Sequence, residues 1–135
     1  MRPPDEVKRE LVRQWLARAD EDLGVAKVLL TEDAPYAAAA AFHAQQTAEK
    51  ALKALLAWHQ VEFPKTHVGA LLDLLATVDS PLAESLREAP TLNPYGVDVR
   101  YPGDIPPTTV RDAHRAVETA AKVRTAVAEA LEGRV

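Results

Sequence analysis

Residues 41–56 read Ala41-Phe42-His43-Ala44-Gln45-Gln46-Thr47-Ala48-Glu49-Lys50-Ala51-Leu52-Lys53-Ala54-Leu55-Leu56, and the spacing of their apolar side chains decides the fold. Successive helical residues lie about 100° apart around the axis, so Ala41, Ala44, Ala48, Leu52, Leu55 and Leu56 share one broad apolar arc. Gln45 falls inside that arc and is predicted to be buried. A buried amide without partners costs about 1–3 kcal/mol, so Gln45 is expected to bond to a neighbouring helix, a second subunit or water. With Phe42 and Glu49 at its margins the apolar zone is wider than one helix contact needs, which predicts packing on two sides. Alanine at 41, 44, 48 and 51 allows backbones to approach closely.

The same periodicity extends outward. Residues 5–31 place Leu11, Val12, Trp15, Leu16, Ala19, Leu23, Ala26 and Leu30 at helical spacing, and no stretch sustains the period-two alternation of a strand. Thr31-Glu32-Asp33-Ala34-Pro35 punctuates this first helix; Asp33 or Ala34 is the expected cap of the second, with Pro35 in its first turn and its end near residue 60. Thr66 is the expected N-cap of a helix carrying Val68, Leu71, Leu72, Leu74 and Leu75. Ser80, followed by Pro81, is the expected cap of a short helix that runs to about residue 89 with Leu82 and Leu86 inward. Residues 90–107 hold five prolines, Gly96 and Gly103, and are expected to form a long loop. Thr108 or Thr109 caps a last helix with Val110, Ala113, Val117, Ala120, Ala121, Val123, Val127 and Leu131 inward, ended by Gly133. These elements predict an all-α protein: an antiparallel up-and-down bundle of four main helices plus one short helix, in one domain spanning 1–135.

Composition narrows the chemistry. The chain has no cysteine, which removes disulfides, thiolate nucleophiles and cysteine-ligated metals. Its net charge of −4 argues against broad electrostatic binding to nucleic acid, though not against a local basic cleft. The first residues are charged and lack a signal-peptide core, and the uncharged run that begins at Ala34 is too short for the roughly 20 apolar residues of a membrane span. A cytoplasmic protein with no membrane association is expected. His43, His59, His67 and His114 are too dispersed for a helical metal motif, so neither a metal nor another cofactor is expected.

Trp15-Leu16-Ala17-Arg18-Ala19-Asp20 with Asp22-Leu23, the 42–56 segment, Lys65-Thr66-His67 and Arg100-Tyr101-Pro102-Gly103 together resemble the HEPN family of small helical proteins. The resemblance covers nearly the whole chain. It implies a four- or five-helix bundle that forms a homodimer, paired with a minimal nucleotidyltransferase in a toxin–antitoxin-like module. Catalytically active members resemble one another in using an arginine, four to six residues, then a histidine, for metal-independent RNA cleavage across the dimer. Here the chain departs from that pattern: Arg100 is followed by no histidine at that spacing, Arg111 precedes His114 by three positions, and no other arginine meets the rule. The expectation is therefore a non-catalytic or weakly catalytic homodimer that binds a nucleotide or RNA. The alternatives are an endoribonuclease toxin that uses Arg100 with His43 or His114, and a helical protein-interaction adaptor.

Several residues are candidates for ligand binding. Arg100 lies between Tyr95 and Tyr101, a setting suited to a phosphate and a stacked base; equally, it can pair with Asp98, Asp104 or Glu49 to pin the loop. His43, Lys50 and Lys53 share the polar side of their helix and could line a groove, or form a solvated stripe with an intrahelical Glu49–Lys53 pair. Lys65, Thr66 and His67 sit at a helix start, where free amides and the dipole favour an anion unless Thr66 simply caps. Phe42, Gln45 and Glu49 are the expected interface residues, and Trp15 and Trp58 are expected to anchor core or interface.

Overall fold

The structure is a computed structural model that describes residues 4–31, 35–65, 67–96 and 107–135. Its elements are α1 (Pro4–Leu29), α2 (Ala37–Trp58), α3 (Val68–Ala76), α4 (Ser80–Ser85), a 3₁₀ segment (Ala89–Gly96) and α5 (Val110–Ala130). The all-α bundle expected from the periodicity is the architecture found, with no strand among the described residues.

Helix α2 is the centre of the molecule. No residue from Ala40 to His59 is exposed, because α1 packs on one side and α5 on the other, with α3 and the 3₁₀ segment closing the rest. The alanines explain how two long helices fit so closely: Ala41, Ala44, Ala48 and Ala51 are all fully buried, together with Leu52, Leu55 and Leu56. Contacts fix the directions. Asp22 meets residues 43 and 50, Trp15 lies by Lys53, and Lys8 by Trp58, so α1 and α2 are antiparallel. Ala37 and Ala40 pack with Ala113, so α2 and α5 run the same way. Asp20 and Arg124 join α1 to α5 through two hydrogen bonds of 2.6 and 3.1 Å.

Helix ends show where local chemistry differs from the sequence expectation. The N-cap of α2 is Tyr36, without a side-chain bond; Asp33 and Ala34 lie outside the described residues. His67 caps α3 by accepting the Ala70 amide at Nδ1, 3.2 Å away, while Thr66 lies outside the described residues. Asp79, not Ser80, caps α4: its carboxylate accepts from the Leu82 amide, being one residue better placed to reach the third helical N–H. This helix ends at Ser85, and the 3₁₀ segment occupies the start of the stretch expected to be irregular. Proline fits there because a 3₁₀ turn tolerates the loss of an amide donor that an α-helix interior does not. Thr109 caps α5 in a reciprocal box with Asp112, each side chain bonding the other's amide at 3.0 Å. At the end of α2, Gln60 adopts φ 57°, and the Gln60 and Val61 amides bond back to the Ala57 and Leu56 carbonyls, closing the helix with a left-handed cap.

Candidate functional site

A carboxylate on the inner side of α1 organises the α1–α2 seam. Asp22 lies in the stripe that carries Ala19, Leu23 and Ala26, and only 8% of it is accessible. A charge so placed needs partners, and α2 supplies two of them two turns apart. His43 donates Nδ1–H to Asp22 Oδ1 at 2.8 Å, and Lys50 Nζ donates to Asp22 Oδ2 at 2.5 Å. An ionised carboxylate only accepts hydrogen bonds, so this contact places the proton on His43 Nδ1 and leaves Nε2 as the ring's free acceptor in the neutral form. Phe42 packs edge-on against the same imidazole, with centroids 5.4 Å apart. The side chains of His43 and Lys50 keep 31% and 24% of their surface, so the cluster opens to solvent along one edge.

One turn further, Lys53 Nζ donates to Glu49 Oε1 at 2.8 Å while lying 5.2 Å from the centroid of Trp15 and 5.9 Å from that of Phe63. This is the expected intrahelical pair, but it is not a solvated stripe. The two side chains are only 12% and 17% exposed, because the edge-to-face Trp15–Phe63 pair roofs them. Glu49 also accepts Gln45 Nε2 at 3.0 Å, and Gln45 Oε1 accepts Gln46 Nε2 at 2.7 Å. Gln45 is buried as expected, at 3%, yet it finds its partners within α2, so its burial requires no second subunit. The 3₁₀ segment covers it: a methyl group on Gly96 would stand 2.6 Å from the Gln45 carboxamide carbon.

The remaining candidates lie on other elements. Tyr95 lines a cleft of about 370 Å³ between the 3₁₀ segment and α5, with Glu88, Asp112 and Arg115 at its walls. The Asp112 carboxyl is held below its ordinary value, first by the Thr109 amide and then by the Thr109 hydroxyl. Lys65 is exposed. At the start of α3 the Ala70 amide is taken by His67 and the Gly69 amide by Asn93, which occupies two of the donors an anion would use. His114 is exposed on α5. Arg100 and Tyr101 lie outside the described residues, as do Asp98 and Asp104. Gly96, four positions before Arg100, is where the described chain leaves α2.

The sequence placed His43, Lys50, Lys53 and Glu49 on one helix and gave no role to Asp22, the common partner of His43 and Lys50. The signal was present: a carboxylate inside an otherwise apolar helical stripe needs a cation across the seam. Among the described residues no group of three histidine or carboxylate side chains is placed to hold a metal ion.

A family model for the HEPN domain matches residues 12–131. Two solved structures are similar to this chain. The crystal structure of ST0689, an archaeal HEPN homologue, is 26% identical with a TM-score of 0.69 and covers 90% of this chain and 98% of its own. TT1696 from Thermus thermophilus is 35% identical with a TM-score of 0.64, covering 87% of this chain and 96% of its own. No curated protein matches the sequence.

Proposed function

The chain belongs to the HEPN family, and on that premise we propose that it acts as a homodimeric binding subunit, non-catalytic or weakly catalytic, that holds a nucleotide or RNA for a minimal nucleotidyltransferase in a toxin–antitoxin-like pair. One observation carries this reading: no arginine in the chain is followed by a histidine after four to six residues. General acid–base cleavage of RNA needs both groups at one phosphate, the histidine to move the proton and the arginine to hold the developing charge. The chain keeps the scaffold and lacks that spacing. Its seam cations are committed as well, Lys50 to Asp22 and Lys53 to Glu49, so the seam behaves as a neutral, pre-satisfied surface.

In this reading nucleotide contact falls to Arg100 and Tyr101 together with Tyr95 and Lys65. The test is equilibrium binding of a fluorescent oligoribonucleotide to the wild type and to Arg100→Ala, with co-purification of a co-expressed minimal nucleotidyltransferase. Retained RNA and a stable complex for the wild type, with weakened RNA binding in the variant, are expected. No RNA binding and no complex would remove the proposal.

The 2.8 Å Asp22–His43 contact favours a second reading. A carboxylate that orients an imidazole is a general device for proton transfer, so His43, rather than the exposed His114, is the histidine to pair with Arg100 in an endoribonuclease. Chelator-resistant RNA cleavage by the wild type that disappears in both His43→Ala and Arg100→Ala selects this reading. Equal background in all three proteins dismisses it.

A further inference from the structure

The cleft between the 3₁₀ segment and α5 gathers charges without pairing them. One wall carries Glu88 and Leu92, the facing wall Asp112, Arg115, Ala116 and Thr119. Leu92 and Ala116 are buried, at 1% and 3%, and give the cleft an apolar base. Glu88 and Arg115 are exposed at its rim. Although they carry opposite charges and line the same space, no ion pair joins them. Neither side chain has a hydrogen-bonded or ion-paired partner among the described residues, and the Thr119 hydroxyl has none either.

The charges and their placement narrow the ligand. At about 370 Å³ the cleft lies at the small end of the roughly 300–1,000 Å³ usual for small-molecule sites. Two carboxylates face one guanidinium, so the lining has one negative charge in excess and disfavours a phosphate chain. It shares only Tyr95 with the residues assigned to nucleotide contact. Asp112 and Arg115 stand three positions apart on α5 and are therefore neighbours on its surface. The Asp112 carboxyl is held below its ordinary value first by the Thr109 amide and hydroxyl and also by Arg115, which keeps it ionised at neutral pH. Accepting the Thr109 amide leaves a carboxylate further lone pairs for a ligand. A guanidinium beside a carboxylate matches the carboxylate and ammonium that an α-amino acid carries on one carbon. Across the apolar base, Glu88 asks for a second cation at the far end of the same molecule.

We propose that this cleft binds a free basic α-amino acid of the lysine or arginine type. Its α-carboxylate pairs with Arg115 and its α-ammonium with Asp112. The methylene stem lies over Leu92 and Ala116, as such stems do on apolar surface, and the terminal cation reaches Glu88. A ligand with one positive charge in excess then neutralises a lining with one negative charge in excess.

The test is isothermal titration calorimetry of the full chain with L-lysine and L-arginine, the folding of each variant being checked by circular dichroism. Saturable binding of one molecule per chain is expected from at least one of them. Cadaverine, which lacks the carboxylate, and L-norleucine, which lacks the terminal cation, are expected to bind at least about tenfold more weakly, because each leaves a charged group of the cleft unpaired. Arg115→Ala is expected to lose at least about tenfold in affinity for the basic amino acid, and Arg115→Lys to keep part of it because the charge remains. Glu88→Gln is expected to bind L-lysine no better than L-norleucine, with its affinity for L-norleucine unchanged. Both altered residues are exposed, so these variants are expected to fold as the wild type does. No saturable heat from either basic amino acid at millimolar concentration overturns the proposal. So does binding that Arg115→Ala and Glu88→Gln leave unchanged.

Discussion

Asp22 satisfies two donors with one carboxylate, so its loss is felt twice. Asp22→Ala leaves His43 Nδ1 and Lys50 Nζ without an acceptor in a half-closed seam, and a destabilisation of about 1–3 kcal/mol by chemical denaturation is expected. The cost shrinks in a Lys50→Met background, because the ammonium is then no longer stranded. Gly96 sets a second residue-scale constraint. A Cβ there would stand 2.6 Å from the Gln45 side chain, which cannot swing aside without breaking its bonds to Glu49 and Gln46. Gly96→Ala is expected to cost about 1–3 kcal/mol, and a double-mutant cycle should show most of that cost disappearing with Gln45→Ala. At this scale the sequence was half legible. That Gln45 is buried followed from its angle on the helix; that its partners are Glu49 and Gln46 did not, because three side-chain rotamers settle it.

Element boundaries depend on caps, and two of these are open to direct measurement. Thr109→Ala removes one half of the α5 capping box and is expected to cost about 1 kcal/mol. Its partner Asp112 gives this cap a pH signature. The carboxyl is lowered from 3.8 in the folded chain, so its contribution is fully present above that value and is lost as pH falls through the depressed folded value. Thermal unfolding of wild type and Asp112→Ala should therefore differ at neutral pH and converge at pH values well below 3.8. At the end of α2, Gln60 occupies a left-handed conformation in which its Cβ is crowded. Gln60→Gly is expected to raise stability by about 0.5–1 kcal/mol after the entropic cost of glycine is set against the relieved strain; an unchanged melting temperature would count against that assignment. The misplaced caps of α3 and α4 share one cause. Neighbouring residues, His67 beside Thr66 and Asp79 beside Ser80, were each chemically able to cap, and only the backbone path chooses between adjacent candidates.

For the whole molecule, the alanine seam of α2 is the feature on which the bundle depends. Ala48→Leu would force apart helices that meet across a fully buried alanine and should cost about 1–3 kcal/mol, whereas exposed Ala38 should tolerate the same change. The all-α bundle, contact on two sides of the 41–56 helix, the burial of Gln45 and the Glu49–Lys53 pair were all legible in the sequence. So was the absence of the arginine–histidine spacing on which the family's RNA chemistry relies. Each of these is a property of local spacing: helical periodicity fixes which residues share a face, and motif spacing can be read directly along the chain. Helix packing was needed to show that Asp22 gathers His43 and Lys50, that Trp15 and Phe63 roof the Glu49–Lys53 pair, that Gly96 closes over Gln45, and that α1 leaves an apolar stripe uncovered. Those contacts join residues far apart in the chain, and their pairing is set by the register and rotation at which whole helices pack.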